Sequence, residues 1–65
     1  MTQKYWLIYY SQRSGSHTAT ANEVSKESPV QFLNRYMTEY PEADTKIMWA
    51  IEISEEDFNL LDGEL

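Results

Sequence analysis

Cysteine is absent from this 65-residue sequence, histidine occurs once, and glycine and proline occur twice each. Without cysteine there is no disulfide and no thiolate, and a lone histidine, His17, leaves the usual staples and metal ligands of small domains out of reach. His17 stands beside a turn signal with no cysteine or patterned serine to serve, so it reads as a solvated side chain and not as a catalytic base. Gly15 and Gly63 stand alone, which excludes a glycine-rich phosphate cradle and the nucleotide cofactors that such cradles hold. Basic residues are few, five against eleven acids for a net charge of −6. Affinity for nucleic acid rests on phosphate neutralisation, so direct binding to DNA or RNA is not expected. The segment Tyr5 to Tyr10 also lacks the basic and glycine residues that accompany RNA-stacking rings. No apolar run approaches the roughly 18 residues needed to span a membrane. Met1-Thr2-Gln3-Lys4 leads into only a short apolar run with no small-residue cleavage site, which makes a cytoplasmic protein the expectation.

What is present is a divided charge and a wealth of rings. From Glu39 onward there are nine carboxylates and a single base, Lys46, whereas the first 38 residues carry about two positive charges more than negative. Such a division is an argument about partners and solubility, not about fold. The aromatic residues are Tyr5, Trp6, Tyr9, Tyr10, Phe32, Tyr36, Tyr40, Trp49 and Phe58. Rings bury the most area per residue, one way for a chain limited to a single small domain over residues 1–65 to gather a core.

The continuous apolar run Tyr5 to Tyr10 predicts a strand that ends at Ser11. Ser14-Gly15-Ser16 signals a turn, and Thr18 to Val24 can return antiparallel, although its alanines and Glu23 also tolerate a helix. Ser28, Pro29 and Gln31 form an N-cap, a first-turn proline and a capping box, predicting a helix over residues 29–40 that Pro41 terminates. Its expected apolar side is Leu33, Tyr36, Met37 and Tyr40, with Val30 one turn earlier. Lys46 to Ile53 alternates, placing Ile47, Trp49, Ile51 and Ile53 on one face of a strand and Met48 and Ala50 on the other. Ser54 caps a short second helix whose first turn holds Glu55, Glu56 and Asp57, where the helix dipole favours negative charge. Phe58, Leu61 and Leu65 are its expected apolar edge, and Gly63 its stop.

The order strand, strand, helix, strand, short helix predicts a two-layer α+β fold. It is a three-stranded antiparallel sheet, order 2-1-3, packed on one main helix. One long helix covers one face of the sheet, so rings are left on the second. If Ile47, Trp49, Ile51 and Ile53 face the helix, the second face holds Met48 with either Tyr5, Leu7 and Tyr9 or Trp6, Ile8 and Tyr10, depending on register. The C-terminal helix can fold back over that face, or the face stays open as an interaction surface. The candidate interface is therefore Tyr5, Trp6, Tyr9, Tyr10 and Met48, and the expected function is non-enzymatic: self-association, as a homodimer, or binding of a protein partner. The alternative is an acidic decoy that occupies the basic groove of a nucleic-acid-binding protein, in the manner of small phage-borne or accessory bacterial proteins. Glu52, Glu55, Glu56 and Asp57 are its candidate surface. Those four carboxylates lack the acid spacing and glycine of a calcium loop, so no metal and no cofactor is expected.

Overall fold

The computed structural model describes residues 3–64, and the side chains of residues 3–62. Three strands and two helices follow one another as β1 (Tyr5–Ser14), β2 (His17–Ser25), α1 (Pro29–Glu39), β3 (Asp44–Ile53) and α2 (Glu55–Glu64). The strands form one antiparallel sheet in the order β2-β1-β3. The α+β architecture, its element order and its strand order are those that the sequence predicts.

β1 runs on to Ser14, beyond the apolar run that predicts it, because both of its neighbours continue to pair with it. Ser11 to Ser14 lie opposite Thr20 to His17 on one side, and Ser11 to Arg13 lie opposite Lys46 to Asp44 on the other. Backbone pairing on two sides holds these polar residues extended without any need to bury their side chains. The hairpin closes through Gly15-Ser16, with Gly15 at φ 63° and no positive φ at Ser16, the arrangement of a type II′ turn. A methyl group at Gly15 would meet nothing within 4 Å. The cost of Gly15→Ala is therefore conformational and expected at about 1–2 kcal/mol, read as a lower urea midpoint. An unchanged midpoint would mean that the turn refolds into another type.

α1 begins as its capping signals require. Gln31 N donates to Ser28 Oγ at 3.3 Å, and Ser28 N donates to Gln31 Oε1 at 3.1 Å. Its buried seam differs from the expected one. Phe32 is fully buried and stacks on Tyr36 at 4.5 Å between ring centroids, while Val30, Met37 and Tyr40 are exposed. The rings of Phe32 and Tyr36 meet Tyr10 of the sheet edge-on at 5.3 Å and 5.2 Å. Ile8, also fully buried, lies between Trp6 and Tyr10 in the alternation of β1. Trp6, Ile8 and Tyr10 thus share the face that α1 covers.

A bulge in β3 corrects the expected arrangement of its side chains. Tyr9 lies opposite Trp49 but Tyr10 lies opposite Ile47, so Met48 is one residue more than β1 spans. Facing residues of an antiparallel pair share a face, and an extra residue switches the alternation. Ile47 therefore joins Ala50 under α1, whereas Trp49, Ile51 and Ile53 lie on the opposite face with Tyr9, Leu7 and Tyr5. The four residues that alternate in the sequence do not form one stripe in space.

α2 starts at Ser54, whose Oγ accepts from Asp57 N at 3.0 Å. It continues through Gly63 to Glu64, so Gly63 lies inside the helix and does not stop it. Leu65 lies outside the described residues.

Candidate functional site

On the face away from α1, Tyr9 and Trp49 form a stacked pair, with centroids 5.6 Å apart and planes 28° from parallel. They are directly opposed across β1 and β3, so the stack is fixed by backbone register and not by long side chains finding one another. Ile51 lies one row along, opposite Leu7, and Leu7 in turn faces Val24 of β2. Trp49 is 45% exposed, Ile51 50% and Met48 51%, large values for apolar side chains in the middle of a strand.

α2 covers the far end of this face. Phe58 is buried there, its ring 4.9 Å from that of Tyr5, with the Lys26 ammonium 5.7 Å from its centroid. The hydroxyl of Tyr5 is held above its ordinary pKa, first by burial and then by the neighbouring Glu55 carboxylate. Cover by the C-terminal helix and an open face, alternatives in the sequence, therefore coexist. The row of Tyr5 is closed and the rows of Tyr9 and Leu7 are open.

The candidate interface residues fall into four groups. Tyr9 lies on the open face, Tyr5 lies under Phe58, and Met48 is the half-exposed bulge residue. Trp6 and Tyr10 alternate onto the α1 side. Tyr10 belongs to a polar cluster there: the Tyr36 hydroxyl donates to Glu23 Oε2 at 2.6 Å, and the Tyr10 hydroxyl lies 3.4 Å from the same oxygen and 3.3 Å from that of Tyr36. Burial, followed by the bond to Glu23, pushes the Tyr36 hydroxyl far above its ordinary pKa. Trp49 and Ile51 complete the open face, and sequence reasoning placed them beneath the helix because nothing in the sequence announces the bulge.

The candidate acidic residues are divided as well. Glu52 lies opposite Trp6, on the α1 side, where Lys4 Nζ approaches it at 3.9 Å. Glu55, Glu56 and Asp57 stand exposed in the first turn of α2. Two open depressions flank the turn after α1. One, of about 310 Å3, is lined by Met37, Pro41, Glu42, Ala43, Asp44 and Thr45, and the other, of about 360 Å3, by Ser14 and residues 39–43. Their carboxylates, Glu39, Glu42 and Asp44, are exposed. Among the described residues no three histidine, cysteine or acidic side chains are grouped to hold a metal ion, and no helix is long and apolar enough to cross a membrane.

No protein-family model matches the chain, and no curated protein and no solved structure is significantly similar to it.

Proposed function

We propose that this chain is a non-enzymatic cytoplasmic interaction domain that docks a protein partner on the open sheet face centred on Trp49, with Tyr9, Ile51 and Met48 around it. The observation that carries this reading is the stacked but half-exposed Tyr9–Trp49 pair. Interface anchors are typically aromatic, and a ring already held by its neighbour loses little rotamer freedom on binding. The rim is mixed in charge: in the register Lys46 follows opposite Ser11 and Arg13 opposite Asp44, while the acids of α2 stand at the other end. With a net charge of −6, a less acidic protein is a better occupant of this face than a second copy.

Trp49→Ser tests the reading, since a half-exposed side chain can be truncated without opening the core. A partner captured by the wild type should protect Tyr9 and Trp49 from hydroxyl-radical labelling. Its affinity for the variant should fall about 30-fold or more, the loss of a hot-spot anchor. Undiminished affinity, or protection confined to Glu55, Glu56 and Asp57 with strong salt dependence, would replace this site with the acidic decoy surface.

A further inference from the structure

We propose that a second copy of the chain adds to the outer edge of β2, antiparallel and about a two-fold axis at Thr20, to make a continuous six-stranded sheet. The inference concerns a different surface from the aromatic face and does not depend on it.

The two edges of the sheet are protected unequally. β3 carries the Met48 bulge together with Asp44, Lys46 and Glu52, the devices that keep a free edge from pairing. β2 carries none of them from His17 to Asn22: the sequence His-Thr-Ala-Thr-Ala-Asn has no acid, no lysine, no arginine and no proline. Its pairing with β1 is unbroken, with no bulge. All six residues are exposed. The molecule is elongated, with extents of 38 × 25 × 17 Å and a radius of gyration of 12.5 Å. A compact chain of this length would have a radius near ~11 Å.

The edge is also self-complementary. Ser14 and His17 flank a two-residue loop and so form a hydrogen-bonded pair, after which alternation turns the backbone groups of Thr18, Thr20 and Asn22 outward. A two-fold axis at Thr20 sets Thr20 against Thr20 of the second copy, Thr18 against Asn22 and Ala19 against Ala21. These pairs are small and uncharged, threonine pairs are favourable cross-strand neighbours, and one step further out His17 comes opposite Glu23 of the second copy. Charge points the same way. The edge belongs to the part of the chain before Glu39, and β3, which carries Asp44 and Glu52, is the strand furthest from it. α2 meets the β2 side at Lys26, so the antiparallel arrangement carries the two acidic helices to opposite ends.

Five paired residues from each copy bury less than the ~1,200 Å2 of a standard interface, so the dimer is weak and exchanging. Sedimentation equilibrium and NMR diffusion up to about 1 mM should show a reversible monomer–dimer equilibrium. Thr20→Pro removes an outward N–H without touching the β1 ladder, and Ala19→Lys/Thr20→Lys opposes like charges while keeping every backbone donor. Each should weaken dimerisation about tenfold or more, with the far-UV spectrum unchanged, while Trp49→Ser leaves it intact. If Thr20→Pro fails to fold, the lysine variant carries the test. A monomer at every concentration, a dimer that survives the edge variants, or a dimer lost on Trp49→Ser would overturn the proposal. The last result would assign dimerisation to the aromatic face.

Discussion

Phe32→Ala is expected to cost about 3–5 kcal/mol, the range for deleting a buried ring. A domain of this size has a total stability on the order of 3–10 kcal/mol, so this one substitution removes a large part of it. The reason is the position of the ring. Phe32 is fully buried and touches Tyr10 and Tyr36, and the Arg35 guanidinium lies 5.6 Å from its centroid while Arg35 Nε donates to Glu27 at 2.8 Å. Removing it leaves Tyr36 to carry the contact of α1 with Tyr10 of the central strand. Phe32→Leu keeps most of the volume and should cost less than half as much. Urea unfolding followed by far-UV circular dichroism distinguishes the two, and equal midpoints would mean that α1 is anchored elsewhere.

Tyr36→Phe should lower stability by about 1–3 kcal/mol although it deletes a single oxygen, because Glu23 then keeps only the long contact to Tyr10 in a half-buried place. Restoring shape without polarity separates the hydrogen bond from packing. Glu23→Leu in the Tyr36→Phe background should recover part of the loss, a non-additivity that a double-mutant cycle measures. The same cluster sets a pH dependence. The Tyr36 hydroxyl is raised in the folded state above its ordinary value of 10.0, so the folded chain holds a proton that the unfolded chain releases. The contribution of Tyr36 is therefore complete below that value and is lost as pH climbs above it. Wild-type stability should fall through that alkaline range, and Tyr36→Phe should flatten the fall. Additive single variants and identical alkaline profiles would show that the cluster is only packed and not bonded.

Much of the fold is legible in the sequence because its signals are local. Ser28 with Gln31 and Ser54 with Asp57 make the caps that their spacing predicts, and Gly15 supplies the one positive φ of the turn. The side of α1 that becomes buried is not local information. Val30, Phe32, Leu33, Tyr36, Met37 and Tyr40 span an arc of about 160°, wide enough for the buried seam to lie toward either side of it. The rings of the sheet select Phe32 and Tyr36. The candidate site was legible in kind and not in membership. An aromatic second face follows from one helix covering one side of a sheet rich in rings, but which rings lie there depends on the β1–β3 register. Glu23 carries no sequence sign of its role, since its partner Tyr36 lies 13 residues away and is brought to it only when α1 docks.

Met48 is the residue that the sheet can do without. A strand keeps count in steps of two, and one residue beyond the count sends everything after it to the other side. Because Ile47 already pairs with Tyr10 and Trp49 with Tyr9, neighbours on β1, a chain lacking Met48 would join them as ordinary successive residues. Every remaining side chain would stay where it is. Chain length at this point is free to vary by one while the order of contacts across β1 and β3 is kept, and the one side chain lost would be the half-exposed methionine next to Trp49.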